Sequence, residues 1–156
     1  HPVAGLVTTA EIMARFRKSF RYFNTFGGNP VSCAAAMAAL DELQEKNLQA
    51  NAARIGKLAH QRLSELAAKY PVIGDVRQSG MVFGAEFVLD RKTKAPAAAY
   101  ADLVVNEMRR RGIILSKLGR HKNTLKIRPP MPFEEDHLDL LMTTLDAVLA
   151  ETPVSA

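Results

Sequence analysis

Residues 23–40 read Phe23-Asn24-Thr25-Phe26-Gly27-Gly28-Asn29-Pro30-Val31-Ser32-Cys33-Ala34-Ala35-Ala36-Met37-Ala38-Ala39-Leu40, a glycine turn running into an alanine-rich helix. Asn29 offers a side-chain oxygen as helix cap, and Pro30 suits the first helical position, where its missing N–H costs nothing. Alanine is the best helix former, so the helix continues strongly from there. Gly27 and Gly28 reach backbone angles closed to other residues and let the backbone come close to a bound group. Amides at a helix start attract anions, and Thr25 adds a hydroxyl at the mouth of the turn. The stretch therefore reads two ways, as a plain turn before a helix or as a cradle for an anion such as phosphate.

Around this stretch, composition sets the bounds. A chain of 156 residues with 47% hydrophobic residues is one domain's worth and can build a core. No apolar run approaches ~18 residues and no secretory leader is visible, so no membrane partner is expected. A single cysteine, Cys33, rules out an internal disulfide and suits a reducing compartment such as the cytoplasm. Among alanines on a helix, Cys33 is expected to be a buried structural thiol. His1 has no neighbouring metal-ligating partner, and no metal site is expected. The net charge of +5 would suit a nucleic-acid-binding module. The cations are spread, however, over Arg15 to Lys18, Arg109 to Arg111 and Lys117 to Arg128, so no nucleic-acid partner is expected.

In chain order, Val3 to Val7 is a short apolar run that reads as a buried strand. Thr9 to Arg17 reads as a short helix capped by Thr8 or Thr9. The helix from Pro30 runs toward Glu45, breaks near Asn47 and resumes to Lys69, where Tyr70-Pro71 ends it. Leu48, Ile55, Leu58, Leu63 and Leu66 give that second part an apolar stripe. Residues 72–77 and 81–88 read as two strands joined through Ser79-Gly80. Glu86, within the second of these, reads as an edge or paired structural carboxylate. Ala97 to Arg111 is an amphipathic helix with Leu103, Val104 and Met108 inward, its arginines complementing the helix dipole, and Gly112 its C-cap. Ile113 to Leu115 follows as a strand. The basic loop 119–123 leads into Thr124-Leu125-Lys126-Ile127-Arg128-Pro129-Pro130. Glu134 to Glu151 is a final amphipathic helix, with His137 on its surface.

Thr25-Phe26-Gly27-Gly28-Asn29-Pro30, followed by Cys33-Ala34-Ala35-Ala36 and Ala39-Leu40-Asp41, resembles the segment after the catalytic lysine in class III aminotransferases, the omega-aminotransferases. Asp75-Val76-Arg77 with Gly80, Gly84 and Glu86 resembles that family's small-domain hairpin, with Gln78 where glycine is usual. Lys126-Ile127-Arg128-Pro129-Pro130 resembles the segment that closes the small domain.

The resemblance implies an α+β chain: the end of the large domain and the C-terminal small domain of a type I, aspartate aminotransferase-like fold. Residues 1–29 would end the large domain, 30–70 form linking helices and 71–156 the small domain. It implies pyridoxal 5'-phosphate (PLP) as cofactor, with Thr25 contacting the phosphate held by the partner subunit of a homodimer. Phe26, Gly27 and Gly28 belong to the same cofactor-binding turn. His1-Pro2 would be the tail of the junction after the catalytic lysine, which is then expected upstream; no catalytic residue is expected in this chain, which on its own should not transaminate. An arginine in many members binds the substrate carboxylate where this chain has Lys126. Arg128, two residues on, points to the same side of a strand, and both are expected to hold a substrate anion. Lysine lacks the planar fork that grips a carboxylate. The implied activity is transfer of an amino group from an amine or amino acid to a 2-oxo acid. The alternatives are a phospho-lyase acting on phosphoethanolamine-like amines, a dimerisation piece without catalysis, or a basic nucleic-acid-binding module.

Overall fold

The computed structural model describes residues 1–154, and the chain divides into two compact units, residues 1–47 and 48–156. In the first, α1 (Ala10–Ser19) starts where Thr9 accepts a hydrogen bond from the Ile12 amide, as its cap signal requires. A turn over residues 25–28 then leads into α2 (Pro30–Glu45), capped by Asn29 with Pro30 in the first turn. Neither helix has a buried residue.

Two expectations fail in this unit. Val3 to Val7 forms no strand and is exposed, Val7 fully so. A strand needs a neighbour to take its N–H and C=O groups, and none of the described residues pairs with it. Cys33 is exposed, because α2 buries no residue in this unit.

The second unit holds the core. α3 (Leu48–Lys69) begins after Asn47, whose φ of 47° breaks the helical path, and buries Leu48, Ala52, Ile55, Ala59, Leu63 and Leu66. β1 (Ile73–Ser79) and β2 (Val82–Phe87) form a hairpin across Gly80, at φ +52°. α4 (Ala98–Arg110) is followed by Gly112 at φ +85°, and the Ile113 amide reaches back to the Met108 carbonyl. β3 (Ser116–Leu118) and β4 (Thr124–Lys126) complete an antiparallel sheet of order β1-β2-β4-β3. α5 (Glu135–Glu151) closes the unit, its first turn boxed by Glu134 and His137.

α3 packs on β1 and β2, and α5 packs against α3 and α4. On β2, Phe83, Ala85 and Phe87 point into this core, and Phe87 meets Tyr100 edge-on at 5.2 Å between ring centres. Backbone also meets backbone closely: a Cβ on Gly84 would overlap the Leu125 carbonyl oxygen.

Three details differ from the sequence reading. Ladder pairing starts at Ser116, so Ile113 to Leu115 is an approach to the sheet rather than a strand. Leu103 is 41% exposed, while Val104 and Met108 are fully buried. Glu86 lies on an inner strand, not an edge. It is a paired carboxylate, bonded by Arg77 and approached by the Asn123 amide nitrogen at 3.4 Å.

Candidate functional site

The turn before α2 is held from both ends by asparagines. Asn24 Oδ1 accepts from the amides of Phe26 (3.1 Å) and Gly27 (3.0 Å), while its Nδ2 donates to the Tyr22 hydroxyl at 3.3 Å. Asn29 Nδ2 donates to the Phe26 carbonyl at 2.7 Å, and its Oδ1 caps α2 through the Ser32 amide at 2.9 Å. His1 reaches the same helix start, its Nε2 lying 2.7 Å from Ser32 Oγ.

These bonds settle which donors are left for an anion. The amides of Phe26, Gly27 and Ser32 are already satisfied within the turn. Thr25, by contrast, is exposed, and its hydroxyl meets no hydrogen-bonding partner among the described residues. Gly28 stands at φ +71° with open space where a side chain would begin. The turn can thus present one hydroxyl and an uncrowded backbone to a phosphate, rather than a fan of free amides. A PLP phosphate fits such a surface. Asn24 was not singled out from the sequence, although an asparagine two or three residues before a glycine turn is a known local signal.

The second constellation belongs to β4. Leu125 and Ile127 are buried, whereas Lys126, the last residue of β4, is half-buried and Arg128, two residues beyond it, is exposed. Neither forms an ion pair among the described residues; the nearby Lys117 is paired with Asp102 at 2.5 Å. Lys126 stands across the ladder from Ser116. Together Ser116, Lys126, Arg128, Phe133 and His137 line a groove of about 580 Å³. The His137 ring sits 5.2 Å from Phe133, and its Nδ1 accepts the Glu134 amide at 3.1 Å. Lys126 and Arg128 are near neighbours in the chain; Ser116 and His137 come to the groove only through tertiary structure.

No group of three or more metal-ligating side chains occurs among the described residues, and no helix there is long and apolar enough to cross a membrane. The chain itself supplies an anion-ready turn in one unit and a cationic groove in the other.

The family model for class III aminotransferases matches residues 1–149. The chain is 39% identical over 145 residues to alanine–glyoxylate aminotransferase 2 homolog 2, a mitochondrial protein of Arabidopsis thaliana, covering 93% of this chain and 30% of that one. It superposes on a phospholyase from Arthrobacter in complex with phosphoethanolamine with a TM-score of 0.89 and 38% identity, over 94% of this chain and 35% of that one. An amine transaminase from an uncultivated Pseudomonas species, in its PLP-bound form, matches with a TM-score of 0.77 and 31% identity over 87% of this chain and 31% of that one. The chain spans about a third of the length of the curated relatives it matches. Its mixed α+β architecture with a small antiparallel sheet is that of PLP-dependent transaminases. The chain belongs to the class III aminotransferase family.

Proposed function

We propose that the chain is the C-terminal part of a PLP-dependent class III aminotransferase, moving an amino group from an amine or amino acid to a 2-oxo acid. The observation that carries this reading is the pinned, exposed turn at Thr25 to Gly28 within a chain matched to the family over residues 1–149. In this reading Thr25 donates its hydroxyl to the phosphate of the cofactor held by the partner subunit of a homodimer. Phe26, Gly27 and Gly28 belong to the same cofactor-binding turn, the two glycines letting the backbone come close to that phosphate. When bound, PLP supplies an electron sink for the carbon next to the substrate nitrogen. The lysine that carries the cofactor is assigned to chain outside these 156 residues, and residues 1–29, 30–70 and 71–156 to large-domain end, linking helices and small domain. The reading places the enzyme in the cytoplasm.

Lys126 and Arg128, which line the same groove, hold the anionic end of the substrate. A compact ammonium beside a guanidinium suits a tetrahedral phosphate at least as well as a planar carboxylate. That feature, with the similarity to the Arthrobacter phospholyase, favours a second reading, elimination of phosphate from a phosphoethanolamine-like amine.

The two are separated by supplying the full-length enzyme, loaded with PLP, with phosphoethanolamine in one assay and L-alanine plus glyoxylate in another. Release of inorganic phosphate marks the lyase, and formation of pyruvate and glycine marks the aminotransferase. Replacing Lys126 with alanine is expected to raise KM for the preferred anionic substrate about tenfold or more, as expected for loss of a charged contact. An unchanged KM would remove Lys126 from the site.

A further inference from the structure

Thr25 makes no hydrogen bond of its own to the rest of the turn, yet the backbone on its C-terminal side is fixed with unusual completeness. The Phe26 peptide unit is held through its N–H by Asn24 and through its C=O by Asn29. The Gly27 N–H is held by the same Asn24 oxygen. Asn24 cannot flip its amide without losing these bonds, because its Nδ2 group can only donate and would face two N–H donors. The side chain also lies directly over Gly27: a Cβ there would meet Asn24 Cγ at 3.1 Å, so the glycine makes room for the asparagine.

We propose that Asn24 is the positioning residue of the phosphate-contacting turn, holding the backbone that follows Thr25 so that the hydroxyl is aimed before the phosphate arrives. The proposal rests on the assignment of Thr25 to the cofactor phosphate. Asn24 donates nothing to the phosphate; it occupies the two amides that would otherwise compete for water or let the turn rearrange. A group ordered in advance loses less entropy on contact, and that saving appears as affinity for the phosphate alone. Asn24 thus acts through Thr25, and its removal should do nothing where the phosphate is missing.

The test uses the full-length dimer stripped of cofactor and compares its dissociation constants for PLP and for pyridoxal, which lacks the phosphate. Asn24→Leu keeps the size of the side chain and removes the oxygen. It is expected to weaken PLP binding roughly tenfold, as loss of two hydrogen bonds would, with pyridoxal binding unchanged. Asn24→Ser, whose hydroxyl can accept from the same turn more weakly, should fall between the two. Thr25→Ala should lower the preference for PLP over pyridoxal at least as much, and adding Asn24→Leu to it should cost little more.

If Thr25→Ala lowers the preference and Asn24→Leu does not, the proposal is overturned while the cofactor contact stands. If Asn24→Leu weakens PLP and pyridoxal equally, its role is general stability and the proposal fails. If Thr25→Ala leaves the preference intact, the cofactor contact fails and the proposal falls with it.

Discussion

At the scale of single residues, this chain shows how often a small side chain is dictated by what lies above it. Gly56 is buried in the middle of α3, where glycine weakens a helix. The reason is contact with the β1–β2 turn: a Cβ on Gly56 would overlap the Gly80 carbonyl oxygen and the Gln78 amide. Since Gly80 is backbone, it cannot step aside as a flexible side chain would. Gly56→Ala should therefore destabilise the protein despite the better helix propensity of alanine, by about 1–3 kcal/mol, the usual cost of overpacking. Urea unfolding followed by circular dichroism would show this as a lower midpoint; a raised midpoint would mean that α3 moves freely from the hairpin. The contact also marks what sequence reading can reach. Gln78 stood out as a departure from a family pattern, but only the fold shows its amide beside Gly56. Lys126 and Arg128 were legible as a pair because they are near neighbours in the chain. Cys33 was misread because its environment depends on surfaces that no local pattern encodes.

Secondary-structure elements were legible wherever start and stop signals lay in the chain itself. Asn29-Pro30, Tyr70-Pro71 and Gly112 each bound a helix as their chemistry requires. The reading missed how the elements are tied together. Arg91, in the loop between β2 and α4, donates to the carbonyls of Pro71 (3.1 Å), Ile73 (3.0 Å) and Ala67, gathering the end of α3 and the start of β1. Beside it, Asp146 on α5 takes hydrogen bonds from Lys69 at 2.7 Å and from the Tyr70 hydroxyl at 2.6 Å, joining α5 to the end of α3.

The bond from Lys69, and then that from Tyr70, hold the Asp146 carboxyl below the usual aspartate range, and Asp146 in turn raises Lys69. A depressed carboxyl contributes stability above its unfolded value, near 4, and loses it as pH falls through the folded value. A raised lysine contributes below its unfolded value, near 10.4, and loses that only as pH climbs through the higher folded one. The joint is therefore intact throughout the neutral range and fails on the acid side, below about pH 4. Asp146→Asn should lower Tm by roughly 2–4 °C at pH 7, as for a partly exposed ion pair in a domain of this size. The difference from the parent protein should shrink as pH falls below about 4. A constant gap down to pH 2 would show that the carboxylate charge is not what joins the two helices.

Over the whole molecule, the two units differ in what they can do unaided. The unit from Leu48 onward sets Ile55, Leu63, Ile73, Phe87, Val104 and Leu145 into one core at 0–1% exposure and covers its sheet with helices. The unit ending at Asn47 keeps Phe20, Tyr22, Phe23 and Phe26 between 65% and 86% exposed and buries nothing along α1 or α2. Apolar surface of that extent is what an interface uses, and Tyr22, Phe23 and Phe26 lie within three residues of the Thr25 that the proposal assigns to a partner subunit's cofactor. Its helices are set by local signals, because Thr9, Asn29 and Pro30 act within one turn. Their packing is not set by these signals, and Val3 to Val7, which reads as a strand, finds no neighbour among the described residues. Residues 48–156 produced alone should therefore unfold in one cooperative transition, since burial drives folding and is local to that unit. Residues 1–47 produced alone should show no such transition, because helices of 10 and 16 residues without a buried face are marginal in water. Differential scanning calorimetry on the two pieces decides it. A broad, non-cooperative melt of 48–156 would mean that its core needs the first unit, and a sharp one for 1–47 would mean that its exposed aromatics pack without help.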